Sequence, residues 1–369
     1  MPEAAGSIPV VIVEGEARER GRQHGELAAD RVGSNVETYM RRFEHFAGLE
    51  PAAARRRAEE YAAAIAAYDA EILEEITGIA EGAGQRLGDV LAVNCRSELM
   101  FGPNAPLECT SFGLQPEVTL TGHTYVGQNW DWAPDVKSTL ILLVVTQPSR
   151  PSVVLLDEAG MVGRMGMNSA GIALATNTLI AEDSGPGVPY NVLLRGVLNG
   201  RSMADAIGAL VRPSRALGAN FLIGDGRGQV LDIEASASCV DYLPPVNGIV
   251  VHGNHFAGLR HTGRDRSLER FPDSLYRECR IRASLEGLGR PIGEEDMQEA
   301  LKDAFGHPNA ICRSVDPDQS ELEQIETIAS IIMDATGGRF LLALGPPDKN
   351  AYAEYSVAEL TRGATLTAA

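Results

Sequence analysis

The sequence predicts a layered α/β protein built on antiparallel sheets, and three observations predict it. The first hundred residues carry helical periodicity. From about residue 110 the pattern changes to short apolar runs with turn punctuation. Helical stretches then recur between and after two sets of strands.

Taken in order, "PVVIVEG" (9–15) is a short strand. A helix follows in which Leu27, Val32, Val36, Tyr39 and Phe43 recur at steps of three to five. A second helix carries Tyr61, Ile65, Tyr68, Ile72, Ile76 and Ile79 at steps of three and four, with a solvated charged face. The β runs are "VTLTGHTYVGQN", "TLILLVVT", "SVVLLDE", "GIALATN", "FLIGDGRGQVLDIEAS", "GIVVHGN", "ASIIMDATGGRFLLALG" and "YAEYSV". Asp225-Gly226 and Thr336-Gly337-Gly338 mark hairpin turns. The arms are apolar throughout, as in sheets covered on both faces. Helices are expected at 189–199, 203–211, 273–287 and 294–305, with Pro189 in a first turn and Ser202 with Asp205 as a cap signal. No internal repeat and no Gly/Ser linker divides the chain.

Composition narrows the function classes. The chain has 369 residues, enough for a sizeable core, and a net charge of −18. No basic block interleaved with aromatics occurs, which argues against nucleic acid and anionic membranes as partners. The apolar run "LILLVV" (140–145) is far short of the roughly 20 residues that span a bilayer. The start has no basic-then-apolar signal pattern. Five scattered cysteines without CxxC spacing argue against a disulfide framework and for a reducing cytoplasm.

Several candidate sites have plain structural readings. "GDGRG" (224–228) and "TGGR" (336–339) join strand to strand and lack a following Lys-Ser/Thr, so they read as turns and not phosphate cradles. Gly21 and Gly25 suit close helix packing. His252, His255 and His261 cluster without a second ligand motif, so no metal is expected, and no G-x-S-x-G elbow is present. Cys95, Cys239, Cys279 and Cys312 sit like small hydrophobes in helices or strands. Cys109 differs: it follows the Gly/Pro/Asn-rich "GPNAPLE", which is expected to be an exposed loop, and it opens the first strand of the β region. A thiol at such a junction can be cut free as an N-terminus.

"ECTSFG" followed by "GQNWDW" resembles the cysteine N-terminal nucleophile hydrolases. The closest likeness is to the acyl-coenzyme A:isopenicillin N acyltransferase family; penicillin V acylase, bile salt hydrolase and acid ceramidase are more distant. "GRMGMNSAGIALATNTL", "NFLIGDGRGQVLDIEAS", "GNHF", "DSLYRECRIR" and "IMDATGGRFLLALGPP" match later family blocks in order. The resemblance implies a four-layer αββα sandwich of two antiparallel sheets in a single domain, 1–369. It also implies a zymogen that cleaves itself between Glu108 and Cys109. The products are a helical α chain, 1–108, and a β chain, 109–369, which stay associated.

By position, the resemblance makes Cys109 the nucleophile and Asp131 the holder of its α-amine. Asn254 lends its NH₂ to the oxyanion hole, and Asn177 is a second pocket asparagine. Arg277 is a cation beside Cys109 that favours thiolate. Trp130, His255 and Asn168 contact substrate. No cofactor is implied. The substrate would be a small-molecule amide, with hydrolysis preferred to transfer, or an acyl-coenzyme A passing its acyl group to an amine. Homo-oligomerisation stays open. One departure stands out: bile salt hydrolases carry arginine where this chain has Gln128, so a charge beside the nucleophile is missing. Two other classes compete, a papain-like protease pairing Cys109 with His255 and a non-catalytic ligand-binding member of the fold.

Overall fold

The computed structural model describes residues 8–100, 108–261 and 263–366; the loop expected just before Glu108 lies outside them. Fourteen strands form two sheets among these residues. The first sheet runs, in spatial order, β1 (Val10–Glu14), β4 (Leu140–Thr146), β5 (Val153–Glu158), β6 (Met165–Asn168), β7 (Ile172–Thr178), β8 (Ala219–Asp225), β9 (Gln229–Ala235) and β10 (Val240–Leu243). The second runs β11 (Ile249–His252), β2 (Glu108–Leu114), β3 (Tyr125–Trp132), β12 (Glu326–Asp334), β13 (Arg339–Leu344) and β14 (Ala353–Ser356). Every pairing is antiparallel except β1 with β4.

The first hundred residues hold α1 (Ala17–Leu27), α2 (Ala29–Ala47), α3 (Pro51–Glu59), α4 (Ala62–Tyr68), α5 (Ala70–Gly82), α6 (Leu87–Asn94) and α7 (Arg96–Met100). Later come α8 (Tyr190–Leu198), α9 (Met203–Val211), α10 (Ser267–Arg270), α11 (Ser274–Glu286), α12 (Glu294–Leu301) and α13 (Val357–Leu366). Strands β2 and β3 face β7, β8 and β9 across the interior, while α8 and α9 cover the first sheet and α11 and α12 the second. The expected helix–sheet–sheet–helix layering is therefore present. No described helix is long and apolar enough to cross a membrane.

The boundaries differ in instructive places. The helix expected through Leu27 is two helices, and Leu27 is exposed at the end of α1 while Val32, Val36, Tyr39 and Phe43 are buried on α2. The stripe from Tyr61 to Ile79 breaks at Asp69, whose extended backbone (φ −157°) and side-chain acceptance from Glu71 N–H start α5 afresh. Helix α12 stops at Leu301, because Asp303 turns back to accept from Phe305 N–H. Pro189 is the N-cap of α8 and not its first helical residue. Ser202 does cap α9, accepting from Asp205 N–H at 3.2 Å.

Gly21 and Gly25 do serve helix packing. A Cβ at Gly21 would lie 2.0 Å from Glu75 O, and one at Gly78 would lie 2.1 Å from Arg18 O. Helices α1 and α5 thus cross with their backbones in contact, which only glycine on both sides permits. Cys95 and Cys312 are buried as expected, but Cys279 is exposed on α11.

Candidate active site

Strand β2 reads ECTSFGL and is buried at all seven positions, so its two faces address different layers. Cys109, Ser111 and Gly113 point to the first sheet: Ser111 Oγ donates to Asn177 Oδ1 at 2.7 Å, and Gly113 packs on Leu222 and Val230. Glu108, Thr110 and Phe112 point to the helix layer, where Arg277 donates to Thr110 Oγ1 at 2.7 Å. On β3 the alternation matches. Trp130 and Gln128 share the face of Cys109, and Asp131 and Asn129 share that of Glu108. Gly127 has no side chain because the Phe112 ring lies across it, 2.3 Å from where a Cβ would sit.

Cys109 is 3% exposed, so the expected open junction is a buried one, and Glu108 is buried with it. Both backbone polar groups of Cys109 are held, one in each of the two peptide units that flank its Cα. Cys109 N–H donates to Asn254 Oδ1 at 2.9 Å, and Cys109 C=O accepts from Arg277 Nη1 at 2.8 Å. Asn254 Nδ2 donates to Thr178 O at 3.1 Å, and Oδ1 also accepts from Arg277 Nη2 at 3.0 Å. A flipped amide would face two donors with NH₂, so the orientation is determined. In the intact chain Asn254 therefore offers Cys109 its oxygen, whereas the sequence reading gave it the role of NH₂ donor.

Arg277 is fully buried on α11, held there by Nε donating to Asp273 Oδ2 at 2.8 Å one turn away. Its Nη2 also donates to Glu108 Oε2 at 3.0 Å, and Arg313 Nη2 reaches the same oxygen at 2.6 Å and Asp273 Oδ2 at 2.9 Å. Two carboxylates thus sit between two guanidiniums. Burial pushes the Glu108 carboxyl up to about 8; Arg313 and Arg277 pull it down, and Asp273 pushes it further up. Burial also works on Asp273, but Arg277 and Arg313 outweigh it and hold that carboxyl low. Of the two carboxyls, Glu108 is therefore the one pushed toward the protonated form.

Asp131 lies opposite Glu108 in the register; its Oδ1 accepts from Thr327 Oγ1 at 2.6 Å, and its buried Oδ2 has no partner among the described residues. Burial raises its carboxyl to about 6 against the pull of Arg313 and Arg277. The Cys109 thiol is pushed up to about 11, first by burial and then by Asp131. Arg164, the Asp131 backbone and the Gln128 side chain pull the other way. The expected cation at Arg277 is thus bound to the carbonyl and to carboxylates, and the charge acting on the thiol is Arg164, which sequence reasoning passed over. The only signal was an arginine inside the otherwise apolar "MVGRMGM".

The remaining expected residues divide. Trp130 lies directly across from Cys109, and its indole N–H has no partner among the described residues. Asn177 is one step along the strand face, accepting from Ser111 and Asn220 and donating to His252 O at 3.3 Å. Asn168 is elsewhere: its amide caps the β6–β7 turn through Ala170 and Ile172 N–H and donates to Leu198 and Gly200 carbonyls. That is about five residues, or roughly 16 Å, along β7 from Asn177. His255 accepts or donates at Ser274 Oγ (2.8 Å) and faces Glu278, and His252 bonds Glu234 at 2.8 Å. Neither imidazole is bonded to Cys109, which disfavours a papain-like pair. His261 stacks on Phe256 at 3.8 Å, so the three histidines do not converge.

Residues 119–349 match the family model described as acyl-coenzyme A:6-aminopenicillanic acid acyl-transferase, a span that begins after Cys109. The chain is 30% identical over 279 residues to the acyl-coenzyme A:6-aminopenicillanic-acid-acyltransferase 40 kDa form of Emericella nidulans, covering 74% of this chain and 75% of that one. It is 25% identical over 264 residues to an uncharacterised protein of Archaeoglobus fulgidus, covering 63% of this chain and 44% of the relative. Among solved structures, a variant of conjugated bile acid hydrolase from Clostridium perfringens aligns at TM-score 0.48 and 14% identity, over 69% of this chain and 94% of the other. Penicillin V acylase from Agrobacterium tumefaciens aligns at TM-score 0.42 and 14% identity, over 64% and 83%.

Proposed function

This chain belongs to the acyl-coenzyme A:6-aminopenicillanic acid acyl-transferase family, and from that premise we propose that it is a self-processing N-terminal cysteine amidohydrolase or acyltransferase. The observation that carries the reading is the hold on both backbone polar groups of Cys109: Asn254 takes the N–H of the Glu108–Cys109 peptide and Arg277 the C=O of the next one, with Glu108 clamped beside them.

In the first reaction the Cys109 thiol adds to the Glu108 carbonyl carbon. The C–S bond forms as the C–N bond breaks, and the thiol proton passes to the departing nitrogen. Water then splits the thioester, which leaves a carboxylate on Glu108 and a free thiol and α-amine on Cys109. An α-amine has an ordinary pKa near 8, low enough to take the thiol proton without a histidine. The unpartnered Asp131 Oδ2 suits the new ammonium, and Asn254 Oδ1 already holds the same nitrogen.

In the second reaction the thiolate attacks the carbonyl of a small-molecule amide. The amine leaves with a proton, and water or an amine acceptor resolves the thioester. Hydrolysis is the preferred outcome. Transfer from an acyl-coenzyme A, the chemistry in the name of the Emericella nidulans relative, is the alternative.

Denaturing electrophoresis with intact mass tests the first reaction. Wild type should give fragments 1–108 and 109–369, and Cys109→Ala should stay one chain. A wild type that remains intact would sink the processing claim. Offering an amine together with an acyl donor, and looking for a new amide, separates transfer from hydrolysis.

A further inference from the structure

Gln128 cannot act as a charge near the nucleophile, and its amide is already committed. Nε2 donates to Thr176 O at 2.7 Å and Oε1 accepts from Thr176 N–H at 2.9 Å, strapping the two sheets together. The cation on this side of β2 comes from the opposite sheet. Arg164 lies in the turn between β5 and β6, is 1% exposed, and stacks its guanidinium 4.3 Å from the Trp130 ring centroid. Trp130 is the cross-strand partner of Cys109 on the same face. Arg164 Nε and Nη1 have no hydrogen-bond partner among the described residues, so two buried donors stand open to an acceptor.

The turn that presents Arg164 is built for position. Asn35 donates to Ala159 O at 3.0 Å, and Asn94 donates to Gly160 O at 2.8 Å and accepts from Val162 N–H at 3.0 Å. His24 Nε2 accepts from Gly160 N–H at 3.0 Å, and burial holds its imidazole down to about 4, so it stays a neutral acceptor. Gly163 packs so closely on α8 that a Cβ would sit 2.3 Å from Asn191 O. Four hydrogen bonds and one close backbone contact therefore fix the chain leading into this one arginine.

We propose that Arg164 is the cation facing the Cys109 thiol, supplying from the first sheet the charge that Gln128 lacks and so favouring the thiolate in the processed enzyme. It is a positioning residue, and the proposal rests on Cys109 being the nucleophile. The charged and titratable groups around it are Asp131 on β3, which opposes the thiolate, and Tyr190 on α8, 6.0 Å from the Arg164 guanidinium. Asp157 on β5 also feels Arg164, and burial holds its carboxyl up at about 8. Arg277 on α11 and Glu108 act from the other face of β2.

The test is the pH profile of iodoacetamide alkylation at Cys109 in the processed enzyme. It is read from the mass of the first peptide of the 109–369 chain, because Cys279 is exposed and Cys239 half-buried. A neighbouring cation lowers a thiol's pKa by roughly one to three units. Arg164→Gln should move the midpoint up and slow alkylation near neutral pH about tenfold or more. Arg164→Lys should keep the wild-type midpoint, and Arg164→Gln/Gln128→Arg should return toward it. A folded Arg164→Gln enzyme with the wild-type midpoint overturns the proposal. If that single variant does not fold, the double variant decides: a midpoint that stays raised overturns it equally. A wild type that neither cleaves nor reacts at Cys109 removes the nucleophile itself, a result distinct from an unshifted variant.

Discussion

Glu108→Gln, made in a Cys109→Ala background so that the chain stays whole, should change how stability depends on pH. The Glu108 carboxyl is buried beside Asp273, and its value rises from an ordinary 4.5 to about 8. Within that window the folded protein holds a proton that the unfolded chain has released. A raised acid of this kind stabilises the fold below its ordinary value and loses that stabilisation as pH climbs through the folded one. The slope for one group cannot exceed about 1.4 kcal/mol per pH unit. Glutamine keeps the shape and can still accept from Arg277 and Arg313, but it carries no titrating proton. Urea unfolding at about pH 5, 6, 7 and 8 should show the glutamate chain losing stability relative to the glutamine chain, by on the order of 1 kcal/mol per unit. Asp131, Asp157 and the other raised carboxyls are present in both chains and cancel in the difference. Parallel pH profiles would refute the raised Glu108 carboxyl. A glutamate chain that gains stability with pH would mean that the two arginines overcome burial and Asp273.

Three further substitutions probe the same frame. Arg277→Met removes the guanidinium that binds Cys109 O, Thr110, Glu108, Asn254 and Asp273; it should cost about 3–5 kcal/mol in the uncleaved chain, measured by thermal or urea unfolding. Asn254→Ala leaves the Cys109 N–H without its acceptor. It should cost about 1–3 kcal/mol and slow the appearance of the 109–369 fragment on denaturing gels. Gly78→Ala places a methyl 2.1 Å from Arg18 O, so overpacking at the α1–α5 crossing should lower the unfolding free energy by about 1–3 kcal/mol, read by urea unfolding, while leaving cleavage chemistry intact.

The layering was readable because it rests on local signals: strand-length apolar runs, turn dipeptides and helical stripes each report on their own neighbourhood. The strand that Cys109 opens was readable for the same reason, and it pairs with the nearby "GQNWDW" run. What stayed hidden depends on contacts made across layers. Arg164 is 55 residues from Cys109 and comes near it only through Trp130, on which it stacks and which pairs with Cys109 across the strands. The Asn254 amide could be named but not oriented, because its orientation comes from the arginine and the carbonyl on either side of it. Asn168 and Asn177 lie in one motif, yet the turn at Gly171 leaves Asn168 at the end of β6 while Asn177 lies near the far end of β7. The break at Asp69 is not legible in the apolar stripe, because a charged residue between stripe positions looks like part of the solvated face, when its extended backbone instead ends one helix and caps the next.

The parallel pairing of β1 with β4 gives the proposed cut a thermodynamic meaning. Val10 to Glu14 zip along Leu142 to Thr146, so one edge of the first sheet comes from the polypeptide that ends at Glu108 and the rest from the one that begins at Cys109. Before the cut, that edge strand finds its place as part of the same molecule, at an effective concentration set by its tether. Afterwards the same contacts hold a complex of two molecules. Unfolding then releases separate species, and the melting point of the cut protein becomes a function of its own dilution. Maturation would thus exchange a unimolecular folding equilibrium for a bimolecular one, and the uncut chain would be the form best able to refold.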